Sequence, residues 1–316
     1  MLDRSNRKME DKKMREGRSF FPFSCFPFSC CLCTWLMLSI GSPITSPAAA
    51  DEKVERRRQQ LLAEMQSLAQ QTKVSSAGST IPLKLADKPV FRYDDQPRRF
   101  IDATMWVWTD QGRPLAFQKI EAVEYGDAAA PDSRWQLCFT STSPDLLAVQ
   151  WPEKRTFHSA EPGIAFAPLA AAPEVAEGNA QRKRQARDLA RKFTGRIVTS
   201  PKANIVQQMR LLTTPIFEYT DPETREFQGA VFGLSTNGTN PDVLLVLEVR
   251  EDKVRAGEER LAWHFAPARM TCCEVTVAFA DTKVWQVDWV NGTEAPFATW
   301  TFFSSPRQPA AAEDTP

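Results

Sequence analysis

Short apolar runs recur along residues 81–304 at spacings of about 8 to 14 residues, broken each time by Gly, Pro, Asn or Asp. In the first half they cover 90–93, 102–108, 115–123, 135–140 and 146–151. In the second half they cover 216–219, 230–234, 243–250, 261–265, 273–279, 284–289 and 298–303. Each run has strand length, and many carry β-branched or aromatic residues. Helical periodicity is confined to two places. Val54, Leu61, Leu62, Met65 and Leu68 fall on one stripe of a helix over 51–72. Ala186, Leu189, Ala190 and Phe193 do the same over 181–194, where Gly195 supplies a C-terminal stop. The pattern predicts a mainly β, antiparallel fold with an N-terminal helix and a connecting helix.

Residues 85–108 read as a degenerate copy of 211–234 at an offset of 126. Leu85, Pro89, Phe91, Tyr93, Asp95 and Arg99 match Leu211, Pro215, Phe217, Tyr219, Asp221 and Arg225. Trp135 meets Trp263 after a slip of two residues. Two tandem related β modules follow, expected to pack as a pseudo-symmetric pair. The expected boundaries are a signal peptide at 1–50, helix and linker at 51–80, and module 1 at 81–163. A linker with the connecting helix follows at 164–208, then module 2 at 209–304 and a disordered tail at 305–316.

The first fifty residues set the expected destination. Residues 1–18 hold seven Lys or Arg against four Asp or Glu, and an apolar run follows from Phe20 to Ile40. Gly41, Pro43 and Pro47 then precede Ala48, Ala49 and Ala50, the order of a secretory signal peptide. The rival reading is an uncleaved membrane anchor, which Pro22 and Pro27 disfavour. Past residue 50 the chain carries 32 basic and 35 acidic residues, so nucleic acid is excluded as a natural partner. Only Cys138, Cys272 and Cys273 remain there, which is no disulfide framework. They are expected as buried strand thiols, with one bridge from Cys138 as the alternative.

Familiar catalytic motifs are missing from the sequence. His158 and His264 stand in different modules without metal spacing, and there is no nucleophile elbow, phosphate loop or dinucleotide fingerprint. No cofactor or metal is therefore expected. Paired carboxylates are the catalytic alternative, with Asp102 and Asp242 as candidates for glycoside hydrolysis. Tryptophan is the more distinctive resource. Trp106 and Trp108 share one strand face, with Arg113 close by, and form the candidate ligand-binding strip.

The phrases IDATMWVWTDQGRPLAF, QARDLARKFTGR, MRLLTTPIFEY, GAVFGLSTNGTNPDVLLVLEVR and AWHFAPARMT resemble an uncharacterised family of exported proteins that recurs in planctomycete-type bacteria. The resemblance spans roughly residues 83–290 and implies a bacterial, exported, two-module protein. It brings no assigned reaction or catalytic residue. Where the family pattern leads one to expect Asp-Gly after Ile101, this chain has Asp102-Ala103. The combined expectation is a non-enzymatic binding or structural module of the cell envelope, with an envelope polymer or protein as partner. The alternative is a polysaccharide hydrolase.

Overall fold

A computed structural model describes residues 47–126, 132–200, 202–255, 258–290 and 299–307. The expected signal segment through residue 46 lies outside the described residues. Helix α1 (Pro47–Gln71) is the first described element. Strands β1 (Lys73–Ser76), β2 (Lys84–Leu85), β3 (Phe91–Asp95), β4 (Phe100–Asp110), β5 (Arg113–Tyr125) and β6 (Asp132–Ser141) follow. Next come β7 (Leu147–Gln150), β8 (Thr156–His158) and β9 (Ala167–Pro168). Helix α2 (Asn179–Ala190) leads into β10 (Phe193–Ser200), β11 (Ile205–Thr220), β12 (Phe227–Ser235), β13 (Val243–Arg255) and β14 (Glu258–Arg269). The chain closes with β15 (Glu274–Phe279), β16 (Thr282–Val287) and β17 (Trp300–Pro306). All pairings among these strands are antiparallel, as the sequence pattern predicts.

Two large sheets lie face to face. The first runs β17-β6-β5-β4-β2 with β3 also on β4, and the second runs β16-β15-β10-β11-β12-β13-β14-β9. Met105, Val107 and Phe117 from the first sheet meet Val231, Leu244, Val246 and Ala266 from the second. The outer face of the first sheet is covered by α1 and by the small sheet β1-β7-β8. The outer face of the second is covered by α2. Each large sheet is therefore buried on both faces. This explains the near-continuous apolar run 243–249: Leu244 and Val246 enter the inter-sheet core, while Val243, Leu245 and Leu247 face α2. Such a run is usual in parallel sheets, and here four layers produce it in an antiparallel one.

The sequence repeat is a structural repeat. Phe91 pairs with Met105 and Tyr93 with Ala103; Phe217 pairs with Val231 and Tyr219 with Gly229 at the same offset. The slip of two residues resolves into two single insertions, since Glu121 corresponds to Glu248 before Trp135 corresponds to Trp263. Arg99 and Arg225 adopt the left-handed conformation at equivalent turns, with φ of 63° and 60°.

Four expectations are corrected. The segment 73–80 is not only linker, because β1 occupies Lys73–Ser76 and pairs with β7. The connecting segment 164–208 contains β10, which pairs with both β11 and β15 and belongs to the second sheet. Strand β17, expected in the second module, pairs with β6 and completes the first sheet. The start of the expected disordered tail is structured: Ser305 and Pro306 belong to β17, and Arg307 donates its backbone N–H to Ser133 O and its guanidinium to Glu124 at 3.0 Å, while residues 308–316 lie outside the described residues. Helix α1 packs on the body through Leu61, Met65 and Ala69, leaving Val54 exposed. Among the described residues no helix is long and apolar enough to cross a membrane.

Of the buried polar side chains without a partner among the described residues, Gln118 lacks one at both amide atoms. It sits on β5 opposite Trp106 and Phe139 and is fully buried. An unpaired buried amide costs about 1–3 kcal/mol. Gln118→Leu is therefore expected to raise stability by about 1–3 kcal/mol in denaturant unfolding. A loss of stability would show that something other than protein satisfies this amide.

Candidate functional site

The Trp strip expected as a binding surface is core. Trp106 and Trp108 do share a face, but each is only 1 % exposed beneath α1 and the small sheet. Trp106 donates its indole N–H to Thr104 at 2.9 Å, and Trp108 packs on Phe139. Alternation revealed the shared face, while the layer above it decided the burial. Trp135, Trp151, Trp263 and Trp300 are also buried, and Trp289 is the exposed one among the described tryptophans.

Arg113 behaves differently. The chain turns from β4 to β5 at Gln111-Gly112, both with positive φ (48° and 89°), a two-residue hairpin turn that suits glycine. Arg113 follows at once and reaches the second sheet, where its Nη2 donates to Glu248 Oε1 at 2.8 Å. Arg250 donates to the same oxygen at 2.9 Å. The other oxygen accepts the Tyr219 hydroxyl at 2.6 Å. Tyr219 passes over Gly229 to get there. A Cβ on that glycine would lie 2.4 Å from the Tyr219 oxygen and 2.8 Å from Leu247 O, so the close approach favours glycine. Both guanidiniums also lie over the Phe166 ring, Arg250 at 4.4 Å and Arg113 at 5.6 Å.

A pocket of about 560 Å³ opens at this cluster. Arg113, Glu248, Arg250 and Glu251 line it together with Arg182, Glu226 and Phe227. The turn residues Asp221 and Thr224 stand at the end of the β11–β12 hairpin. Arg182 is held by Glu226 at 2.7 Å. Arg113 and Arg250 are about one-third exposed, and one buried carboxylate balances the two of them. Their remaining N–H groups have no other protein hydrogen-bond partner among the described residues, so they can donate to ligand oxygens.

The first module holds the counterpart of this site, closed. Tyr93 donates to Glu121 at 2.7 Å, as Tyr219 does to Glu248. Asn240 stands where Arg113 does, each before a proline, and each crosses to the other module's glutamate; Asn240 Nδ2 reaches Glu121 at 3.3 Å. Lys119 fills the space, donating to Asn240 Oδ1 at 2.9 Å, Pro241 O at 3.1 Å and Met270 O at 3.3 Å. Arg98 folds over Asp95 and Asp242. Its repeat equivalent is Thr224, a small residue at the mouth of the open pocket. Burial pushes the Tyr93 and Tyr219 phenols well above the usual range, with the adjacent carboxylates adding to it. Burial also raises the Glu121 carboxyl, opposed by the Lys119 ammonium.

Asp102 and Asp242 are not brought together. Asp102 pairs with Arg92 on the α1 side of the first sheet, and Arg92 also donates to Arg58 O in α1. Asp242 lies on the inter-sheet side, bound by Arg98 and Thr236. Each is neutralised by its own arginine, and neither faces the pocket. His264 is a nearly buried strand residue whose Nδ1 lies 3.3 Å from Ala262 O, and His158 is exposed on β8. The sequence reading missed Glu248, Arg250 and Tyr219. A single carboxylate inside the run VLLVLEV, and tyrosine repeated at both copies, were the available signals.

No family model matches the chain, and no similar protein is found among the curated proteins or the solved structures.

Proposed function

We propose that the protein is an exported, non-enzymatic binding module of the cell envelope, and that it takes a polyhydroxylated polymer segment in the pocket at Arg113 and Arg250. The observation that carries this reading is the mixed lining. Three arginines and four carboxylates (Asp221, Glu226, Glu248 and Glu251) share one pocket with Phe227 and the Phe166 ring nearby. Sugar hydroxyls both donate and accept, so a saccharide can use guanidinium donors and carboxylate acceptors at once. The volume falls within the range of small-ligand sites. Export is supported by the order of basic region, apolar run and Ala48–Ala50, and by the resemblance to exported planctomycete-type proteins.

Isothermal titration with a panel of envelope glycans and peptidoglycan fragments tests the reading. Saturable binding is expected for at least one class. Arg113→Ala should weaken it about 10- to 100-fold, the worth of one charge-assisted hydrogen bond. Thermal unfolding of the variant verifies that the fold persists. Absence of binding across the panel, or equal binding by a folded Arg113→Ala, would sink the proposal.

A further inference from the structure

The bend between β14 and β15 carries adjacent cysteines that have no part in the pocket. Cys272 and Cys273 are both half-exposed, whereas Cys138 is buried and accepts the Trp300 indole N–H at 2.8 Å. The expectation of three buried strand thiols therefore holds only for Cys138. The bend is fixed from several directions. Arg269 donates to Thr271 O at 3.1 Å, Cys273 O at 3.0 Å and Asp288 O at 2.8 Å. Val290 N–H donates to Cys272 O at 2.9 Å, and Cys273 N–H donates to Thr271 Oγ1 at 3.3 Å. A guanidinium is thus held at the backbone of a bend that presents two adjacent, half-exposed thiols.

We propose that Cys272 and Cys273 form a thiol–disulfide exchange site, in which Cys272 attacks a low-molecular-weight disulfide and Cys273 resolves the product. The adjacent Cys273 side chain lowers the Cys272 thiol to about 7, and the Arg269 charge assists. The neighbouring Cys272 side chain and burial push the Cys273 thiol up, which keeps it protonated in the resting state. The roles follow from this asymmetry, because the thiolate is the nucleophile. In the first step the Cys272 thiolate attacks one sulfur of R–S–S–R. A Cys272–S–S–R bond forms, and R–S⁻ leaves and takes up a proton. In the second step Cys273 loses its proton and attacks the Cys272 sulfur, and the second R–S⁻ departs as R–SH. Two protein thiols are oxidised and one small disulfide is reduced to two thiols. Neighbouring Cα atoms stand about 3.8 Å apart, below the usual span of a disulfide. The product is strained and readily reduced, so the site is reversible.

Peptide mapping by mass spectrometry after incubation with oxidised glutathione near pH 7 tests this on the full chain. The folded protein should lose two hydrogens in the peptide bearing Cys272 and Cys273, with Cys138 untouched. Cys273→Ser should accumulate the glutathione adduct on Cys272. Cys272→Ser should exchange at Cys273 about tenfold more slowly or less. The proposal is overturned if Cys272→Ser exchanges as fast as the unaltered chain. It is equally overturned if the vicinal pair reacts only when Cys138 reacts too, the sign of unfolding. That internal comparison stands even if a serine variant fails to fold.

Discussion

Lys119→Met is expected to destabilise the protein by about 3–5 kcal/mol, the usual penalty for leaving a buried charge without its partner. Lys119 and Glu121 are 5 % and 2 % exposed, with their charged groups 3.9 Å apart. Methionine fills much of the same volume, so packing changes little. What disappears is the ammonium bonded to Asn240 Oδ1, Pro241 O and Met270 O. These acceptors lie in the connections just before β13 and just after β14, so the lysine ties the first sheet to the ends of second-sheet strands as well as neutralising Glu121. A typical domain has 5–15 kcal/mol of stability, so the loss takes a large share of it. Denaturant unfolding measures it. Adding Glu121→Gln to Lys119→Met should recover about 1–3 kcal/mol, because the stranded charge goes with it.

The same pair gives a pH dependence of defined sign. The folded-state pKa of Glu121 is already raised by burial, and removing Lys119 raises it further. A raised carboxyl binds its proton more readily in the folded state, so its contribution is favourable at low pH and is lost as pH climbs through the raised value. The difference between Lys119→Met and the unaltered chain should therefore be smallest near pH 4.5 and grow toward pH 8. A difference that is constant with pH would mean that Glu121 is not the group stranded.

Ending the chain at Val290 is expected to lower stability by on the order of 5 kcal/mol, although the deletion touches nothing in the first module's sequence. Strand β17 pairs residue by residue with β6, from Trp300 opposite Thr140 to Pro306 opposite Arg134. Trp300 is 2 % exposed, with Phe302 tilted against it and the Arg269 guanidinium 5.9 Å from its ring. Phe303 meets Trp151 edge-on at 5.0 Å. Each large side chain is worth about 1.5–3 kcal/mol of burial, and extended-chain bookkeeping makes the total an upper figure. For a chain of this size the midpoint of thermal unfolding should fall by roughly 10–20 °C. Hydrogen exchange should locate the damage in β6, whose edge is uncovered. Exchange that quickened in β14 and β15 instead would place β17 in the second sheet and contradict the topology. Trp300→Ala is the milder companion, with about 3–5 kcal/mol expected.

Much of the fold was legible because side-chain direction in a strand is a local property. Alternation placed Trp106 and Trp108 on one face and Met105 and Val107 on the other, and the structure keeps that division. The repeat 85–108 against 211–234 even carried the hairpin register, since equal offsets in two copies require equal pairing. Arg113 stands close to the tryptophans in sequence, across the β4–β5 turn, and it is the one member of that trio in the pocket. Its reason for being there is Glu248, 135 residues away, which no local pattern links to it. Nothing local marks Gln118 as buried; the layer of α1 and the small sheet over its face makes it so.

The sequence by itself determined the strand character, the turn positions, the two helices and the kinship of the two hairpins. These follow from propensity and a two-residue period, which act over a few bonds. Only the tertiary structure decided that both faces of each large sheet are covered. It also returned β17 to β6, gave one Tyr–Glu pair a lysine filling, and left the other open beside two arginines. Those outcomes depend on which surfaces meet across more than a hundred residues of chain, and a side chain's burial is set by what lies over its face rather than by the direction in which it points.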